Sequence, residues 1–149
     1  MTVRTVLFIC VKNAARSLMA EAIFNAHPPD GWRAESAGTR PASRPNPRTA
    51  GMLAEIGLPL PPHPPRELTN GMMTEAALRI TMGCLDSASC PARLKTLPVT
   101  DWALPDPGAL DDAGFRRVRD EIRARVDRLR DDLARAPRPD RGPWVSRAV

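Results

Sequence analysis

The first forty residues alternate between apolar and mixed segments in a way that predicts a strand, a helix and a second strand. Val3–Ile9 is rich in β-branched and aliphatic residues and predicts a buried strand. Arg16–Ala26 carries apolar residues at helical spacing, and the pair Pro28–Pro29 ends that helix. Trp32–Ala37 predicts a short strand that ends at Gly38. This order of elements is the start of a β-α-β unit.

The next segment predicts one helix followed by a stiff loop. Asn46 is predicted to cap a helix that has Pro47 at its first position, and Gly57 is predicted to end it. Pro59–Pro65 is so rich in proline that it predicts an extended loop. The apolar face predicted for the helix consists of Ala50, Leu53, Ala54 and Ile56.

The second half of the chain predicts three short elements and one long helix. Thr69–Ala77 predicts a short helix capped by its first residue, and Leu78–Met82 predicts a third strand. Gly83–Pro91 has no clear period, and Leu97–Thr100 predicts a fourth, short strand. Apolar residues recur at helical spacing near the end of the chain and predict the long helix. They are Phe115, Val118, Ile122, Val126, Leu129 and Leu133.

Strands that alternate with helices predict an α/β protein with a parallel sheet covered by helices on both faces. The length of 149 residues suits one domain, which we place at 1–135, followed by a flexible Pro- and Arg-rich tail at 136–149. No apolar run approaches the roughly 20 residues of a membrane span, so a cytoplasmic protein is expected.

The net charge of +5 raises the question of a nucleic-acid partner. Acidic and basic residues balance over 1–114, and the whole excess lies in 115–149, within and after the last helix. This placement favours a solvated helix face over a nucleic-acid site, with a site for another polyanion as the alternative.

Cys10 lies where a buried strand ends and a helix is about to begin. The short loop Val11-Lys12-Asn13-Ala14-Ala15 can fold tightly, so that its N–H groups converge with the helix N-terminus on one point. Such a cradle binds an oxyanion and favours a nucleophilic thiolate. Arg16 can grip two oxygens of a tetrahedral oxyanion, and Ser17 can donate its hydroxyl to the thiolate. The alternative is a buried cysteine with an arginine covering the helix start.

The segment from residue 6 to residue 22, VLFICVKNAARSLMAEA, resembles the signature C-x-x-N-x-x-R-S-x-x-A-E of the low-molecular-weight tyrosine phosphatase superfamily. The resemblance covers about residues 3–134 and implies a three-layer sandwich with a four-stranded parallel sheet of order 2-1-3-4. The chain is most similar to the thioredoxin-coupled arsenate reductases and their actinobacterial relatives. The cysteines at 84 and 90 and the sequence WALPDP at 102–107 favour that branch.

The resemblance implies a three-cysteine mechanism for reducing arsenate. Cys10 would form an adduct with arsenic, Cys84 would attack Cys10 and release arsenite, and Cys90 would attack Cys84. Asp106 would act as the acid that protonates the leaving oxygen. Thioredoxin, or mycothiol with a glutaredoxin-type protein, would then supply the electrons. The resemblance also implies an enzyme that is a monomer and holds no bound cofactor. Phosphate or sulfate would serve as analogues of arsenate.

Two other functions stay open. A tyrosine phosphatase needs only Cys10, Arg16 and Asp106, and a non-catalytic phosphate-binding or interaction module needs no thiol chemistry at all. Asp106 could simply occupy an Asp-Pro turn, and Cys84 and Cys90 could be small buried residues. The family's phosphatases usually carry aromatic residues just after the Asp-Pro pair, whereas Gly108 follows here and the chain contains no tyrosine.

Further residues match supporting positions of the family. Asn13, Glu21 and Ser36 correspond to residues that bind potassium in some of its reductases, but Arg66 stands where an acidic partner is expected. Arg66 is therefore predicted to pair with Glu21 and to exclude potassium. Lys12 replaces a smaller residue and could either bind the anion or point to water. His27 and His63 are expected at the surface, and a zinc site is not expected.

Overall fold

Four parallel strands form the centre of the protein in a computed structural model, which describes residues 3–85 and 87–135. The strand order is β2-β1-β3-β4, which confirms the predicted α/β class and sheet order. The strands are β1 (Arg4–Cys10), β2 (Trp32–Gly38), β3 (Leu78–Thr81) and β4 (Thr100–Asp101).

Five helices cover the two faces of this sheet, and a short 3-10 helix at Pro107–Ala109 precedes the last of them. Helices α1, α2 and α5 contribute apolar residues to the core on one face, and α3 and α4 contribute to the core on the other. The helices are α1 (Arg16–Ala26), α2 (Thr49–Ala54), α3 (Asn70–Glu75), α4 (Ala92–Thr96) and α5 (Asp112–Arg135).

Strand β1 builds both cores because successive side chains of a strand point to opposite faces. Val6 and Phe8 lie in the core under α1 and α5, whereas Leu7 and Ile9 lie in the core under α3 and α4. All four side chains are fully buried. The six apolar residues predicted for the long helix are all buried against the first core.

Helix α2 begins later than the sequence predicts. Its first residue is Thr49, since Asn46 caps a turn instead, with its side-chain oxygen accepting a 2.9 Å hydrogen bond from the backbone N–H of Arg48. The predicted apolar face is also wrong in part, because Ala50 and Ala54 are exposed. The buried residues of the helix are Thr49, Met52 and Leu53.

The region after β3 holds two further differences. The sequence analysis missed α4, a five-residue helix with a single buried side chain, Leu94, which is too short to show a period. Strand β4 is limited to Thr100–Asp101 rather than starting at Leu97, since Pro98 lacks the N–H that a ladder requires. The tail predicted at 136–149 lies outside the described residues. Within the described part of the chain, no helix could cross a membrane.

Candidate active site

Cys10 is the last residue of β1, and α1 begins six residues later. Its thiol is buried, with only 2% of the residue exposed. The backbone N–H of Asn13 donates to Cys10 Sγ at 3.2 Å, and Cys10 Sγ shares a 2.9 Å hydrogen bond with the Ser17 hydroxyl. Donors at these two positions are the kind of contacts that stabilise a thiolate when one forms, and the nucleophilic role of Cys10 stays a prediction.

The loop after Cys10 turns its carbonyl oxygens away from the thiol. Four of them accept backbone hydrogen bonds of 2.8–3.1 Å from one segment, residues 39–46, which we call the brace. The N–H groups of these peptides therefore face the opposite side, toward Cys10, and form a cradle for an anion. The pairs, donor first, are Thr39 and Cys10, Arg40 and Val11, Ala42 and Lys12, and Asn46 and Ala14.

Asn13 is the residue around which the cradle turns. It is the only non-glycine residue among those described with a positive φ, at 50°. Its side-chain amide donates to Ser17 Oγ at 2.7 Å and to Ser36 Oγ at 3.0 Å, and its oxygen accepts from the backbone N–H of Arg66 at 3.0 Å. These three bonds hold the left-handed conformation in place, although the loop contains no glycine.

Arg16, the first residue of α1, is held in place by carbonyl oxygens on two other segments of the chain. One guanidinium nitrogen, NH1, donates to the carbonyl oxygens of Met82 at 2.7 Å and Leu104 at 2.9 Å. No hydrogen bond to another described residue uses the remaining guanidinium donors, which suits a ligand in the cavity that Arg16 helps to line. Gly83 is required beside it, because a Cβ there would lie 2.9 Å from NH1.

The cradle opens into a cavity of about 270 Å³. Asp106 lies on its wall together with Cys10 and Arg16, and the Asp106 side chain accepts a 3.0 Å hydrogen bond from the N–H of Gly108. Lys12 is exposed and also lines the cavity. The sequence analysis missed the contributions of Asn46, Gly108 and Ala109 to the wall. No aromatic side chain is among the lining residues, which are Cys10, Lys12, Ala14, Ala15, Arg16, Asn46, Asp106, Gly108 and Ala109.

The predicted pair of Arg66 and Glu21 is wrong. Glu21 instead contacts His63, whose Nε2 lies 2.8 Å from Oε1, so that His63 is largely covered rather than a surface residue. Arg66 is turned aside because its Nε donates to the carbonyl oxygen of Ser36 at 2.9 Å. Hydrogen bonds therefore run without a break from Cys10 through Ser17, Asn13, Ser36 and Glu21 to His63.

This network does not test whether a cation binds at Glu21. Among the described residues, no group of three or more His, Cys, Asp or Glu side chains could hold a metal ion. The exclusion of potassium stays a prediction, although the Arg66–Glu21 contact on which it was based does not form. The two ring nitrogens of His63 lie 2.8 Å from Glu21 Oε1 and 2.7 Å from the carbonyl oxygen of Pro64.

Cys84 and Cys90 lie on the loop that follows β3, and neither forms a disulfide with Cys10 or with the other. Cys84 is fully buried in the core under α3 and α4, whereas Cys10 belongs to the opposite core. Burial, reinforced by the nearby Cys90 and Cys10 groups, raises the pKa of the Cys84 thiol to about 12. Cys90 is half-buried and lies nearer the surface.

The fold and the site together define a class of protein. The model of the family described as low molecular weight phosphotyrosine protein phosphatase matches residues 5–138, and the chain belongs to this family. The resemblance inferred from the Cys10 motif is thereby confirmed.

Within this class the chain is similar to arsenate reductases. Arsenate reductase 1 of Staphylococcus epidermidis is 32% identical over 125 residues, which cover 83% of this chain and 93% of that protein. The arsenate reductase structure from Archaeoglobus fulgidus is 38% identical with a TM-score of 0.72, covering 85% of this chain and 98% of that chain. The thioredoxin-dependent arsenate reductase of Corynebacterium glutamicum is 33% identical with a TM-score of 0.70, and the match covers 86% of this chain and 60% of that one.

Proposed function

We propose that this protein is an arsenate reductase, a thiol-dependent oxidoreductase that converts arsenate to arsenite. The observation that carries the proposal is the placement of Cys10 in a main-chain anion cradle, in one cavity with Arg16 and Asp106, beside a loop with two more cysteines. The similarity to arsenate reductases over more than four fifths of the chain supports the same choice.

The first step uses the groups that line the cavity. The Cys10 thiolate attacks arsenic, so that a sulfur–arsenic bond forms as an arsenic–oxygen bond breaks. Asp106 donates a proton to the departing oxygen, which leaves as water. The N–H groups of residues 11–15 and the guanidinium of Arg16 hold the remaining oxygens and stabilise their charge, with the hydroxyl of Ser17 supporting the thiolate.

The second stage moves two electrons from the protein to arsenic. The Cys84 thiol, which burial keeps protonated, gives its proton to water when its loop leaves the core, and the resulting thiolate attacks Cys10 Sγ. A disulfide forms, and the electron pair of the sulfur–arsenic bond leaves with arsenic as arsenite. Cys90 then attacks Cys84, which gives a Cys84–Cys90 disulfide and releases the Cys10 thiolate. Because Cys84 is buried in the opposite core, this stage requires the loop that carries it to leave its position.

An external dithiol must return the two electrons before the next turnover. Thioredoxin is the donor in this proposal, in line with the thioredoxin-dependent relative from Corynebacterium glutamicum. Mycothiol with a glutaredoxin-type protein is the alternative donor. The proposed chemistry needs no bound cofactor, and its dependence on reduced thiols supports a cytoplasmic enzyme.

A phosphatase is the second candidate, because Cys10, Arg16 and Asp106 suffice for phosphoryl transfer and the chain belongs to a phosphatase family. The wall of the cavity favours a small oxyanion over a tyrosine phosphate, since none of its lining residues is aromatic and an aryl ring would have no stacking partner.

Single serine variants at the two later cysteines separate these functions. Cys84→Ser and Cys90→Ser should each reduce thioredoxin-linked arsenate turnover at least 100-fold, while hydrolysis of p-nitrophenyl phosphate stays within about twofold of the parent. Reduction needs all three thiols, whereas hydrolysis of a Cys10 phosphate adduct draws no electrons. Coupled oxidation of NADPH and release of nitrophenol measure the two activities.

Mass spectrometry of alkylated digests identifies the step at which each variant stops. After one arsenate, Cys90→Ser should hold a Cys10–Cys84 disulfide and Cys84→Ser should not. Full arsenate turnover by both variants would contradict the thiol relay and favour the phosphatase. Cys10→Ser is the control that should abolish both activities.

A further inference from the structure

Three exposed cations lie on the two backbone segments that contribute Lys12 and Asn46 to the wall of the active-site cavity. Lys12 lies on the loop after Cys10, and Arg40 and Arg44 lie on the brace; we call these three residues the basic rim. Within residues 3–85 and 87–135, no carboxylate forms an ion pair with any of them. By contrast, Arg48 nearby is occupied by Asp112 and by main-chain oxygens.

Backbone pairing keeps the three cations together. The N–H of Arg40 donates to Val11 O at 2.8 Å and that of Ala42 donates to Lys12 O at 2.9 Å, so the brace runs directly beside the loop. Arg44 follows two residues after Ala42. The positive charge of the rim therefore lies on these two neighbouring segments, with no acidic residue anywhere in 36–54 to offset it.

The rim also borders the loop that carries Cys90. The hydroxyls of Thr39 and Ser89 share a 2.7 Å hydrogen bond, and Ser89 is fixed in turn to Ser87 Oγ at 2.8 Å. Arg40 directly follows Thr39, and Cys90 directly follows Ser89. Arg40 and Cys90 are therefore each one residue away from a residue that forms this hydrogen bond. Successive Cα atoms are about 3.8 Å apart. The brace and the loop that carries Cys90 are therefore neighbours, and the rim lies on the segment next to Cys90.

We propose that the basic rim is the docking surface for a protein dithiol reductant whose own thiols are surrounded by acidic residues. The inference rests on the proposed function, since such a reductant is what a Cys84–Cys90 disulfide requires. Its thiolate attacks Cys90 Sγ and forms a mixed disulfide, Cys84 leaves as a thiolate, and the reductant's second thiol releases Cys90. The reductant loses two electrons, and Cys84 and Cys90 regain them.

Charge of this kind acts mainly on the rate of encounter. Exposed cations raise the association rate with an acidic partner at low ionic strength, and salt suppresses the effect. An uncharged small thiol gains nothing from the rim. Dependence on charge therefore distinguishes a protein reductant from a neutral low-molecular-weight thiol.

The test uses a preformed disulfide, so that it does not depend on arsenate. The full chain is oxidised with diamide, the Cys84–Cys90 bond is verified by peptide mapping, and its reduction by an acidic bacterial thioredoxin is followed under pseudo-first-order conditions. Arg40→Glu/Arg44→Glu should lower the second-order rate constant about tenfold or more in 20 mM salt and less than threefold in 500 mM salt. Lys12 is left unchanged because it lines the cavity.

A matched control carries the same change of net charge on α5. Arg117→Glu/Arg123→Glu alters two exposed arginines that form no ion pair within the described part of the chain, and should change the rate constant less than twofold. Reduction by dithiothreitol, which is uncharged, should be equal in all three proteins. Equal losses in the two double variants, a loss that salt does not suppress, or failure of the Cys84–Cys90 bond to form would each overturn the proposal.

Arsenate turnover is measured separately on the same proteins. If the parent reduces no arsenate but its disulfide reacts with thioredoxin in the charge-dependent way described, the proposed function fails and the docking surface stands. If arsenate turnover with dithiothreitol is normal and the charge dependence is absent, the docking surface fails and the proposed function stands.

Discussion

Arg16 shows how one side chain can serve both the fold and the ligand. Its NH1 nitrogen is bound by the carbonyl oxygens of Met82 and Leu104, on two different segments of the chain. This anchoring fixes the plane of the guanidinium, so the other nitrogens are aimed before an anion arrives. A lysine ammonium that bonded both carbonyl oxygens would keep only one N–H for an oxyanion and would lack the planar fork that binds two oxygens.

Arg16→Lys is therefore expected to lower kcat/KM for arsenate by about 10²–10³-fold, the usual loss when a positioned oxyanion donor is removed. The charge is kept, so the effect reports geometry. Steady-state kinetics provide the measurement, and an unchanged circular dichroism spectrum serves as the control. A loss of only a few-fold would show that Arg16 does not grip the substrate.

Cys84 gives the protein a pH dependence of its own. Its folded-state pKa of about 12 lies above the ordinary value of 9.0, so the folded state keeps this proton when the unfolded chain has lost it. The free energy of unfolding should therefore fall as pH rises from about 9 towards 12, by at most ~1.4 kcal/mol per pH unit. Urea unfolding at pH 8.5, 9.5 and 10.5 measures the slope.

Cys84→Ala should make the fall of the free energy of unfolding with pH less steep, while the contributions of the other titrating groups remain. The comparison is clean because the chain contains no tyrosine to titrate in the same range. Parallel slopes for parent and variant would mean that the Cys84 thiol is not held in its neutral form by burial.

At single positions, the sequence predicted the candidate reacting groups more successfully than it predicted which residues contact one another around them. Cys10, Arg16 and Ser17 follow from a strand-loop-helix pattern that local chemistry determines. The partner of Glu21 does not, because His63 and Arg66 lie only three residues apart within or just after a proline-rich loop, and the sequence does not show which of them contacts Glu21. The contact was settled by Ser36, whose carbonyl oxygen holds Arg66 away, and no local pattern records that bond.

Among the elements, the loop after Cys10 and the brace form a single unit whose close approach depends on Gly38. A Cβ at this position would lie 2.5 Å from Val11 O and 3.0 Å from the backbone nitrogen of Asn13. Neither of these atoms can move without displacing the cradle. The glycine is therefore needed for space, at the point where β2 passes beside the end of β1.

Gly38→Ala should destabilise the protein by about 1–3 kcal/mol, the usual effect of overpacking, and should weaken phosphate binding as the cradle shifts. Gly51→Ala is the matched control, since no heavy atom lies within 4 Å of a Cβ there and alanine favours the helix. Chemical denaturation and phosphate titration report the two effects. Equal stability of both variants would show that the cradle tolerates the methyl group.

The elements themselves were predictable where their pattern was long. The bounds of α1 and the apolar stripe of α5 agree with the sequence analysis, because each helix buries residues over several turns. Helix α4 and strand β4 are too short for periodicity to register. The start of α2 was misjudged because an asparagine before a proline also suits a turn, and here Asn46 caps the turn.

Across the whole molecule, the two sulfurs that would react in the proposed relay belong to different cores, although they are near each other. Cys10 belongs to the core of α1 and α5, and Cys84 belongs to the core of α3 and α4. Alternation of strands and helices predicted the two layers, but the sequence carried no sign of which layer each cysteine joins. Forming the Cys10–Cys84 bond must empty the Cys84 position beside Leu94 and loosen that layer.

This separation predicts where the protein opens during turnover. Cys90→Ser treated with one equivalent of arsenate should show at least tenfold faster amide hydrogen exchange over residues 83–97 than before treatment. Exchange in α1 and α5 should stay unchanged, since their core is not disturbed. Arsenate-treated Cys84→Ser is the control, and uniform exchange in both proteins would contradict a local rearrangement.

The brace has a consequence for the entropy of anion binding. Four carbonyl oxygens, those of Cys10, Val11, Lys12 and Ala14, already accept hydrogen bonds from the brace. An arriving oxyanion therefore meets backbone that is ordered in advance, and fixing each residue costs about 1–2 kcal/mol. The loop residues lose this conformational entropy when the chain folds, so a small anion that binds to the preformed loop does not have to order them. Affinity for arsenate is thus tied to the stability of residues 39–46, most of which the anion never touches.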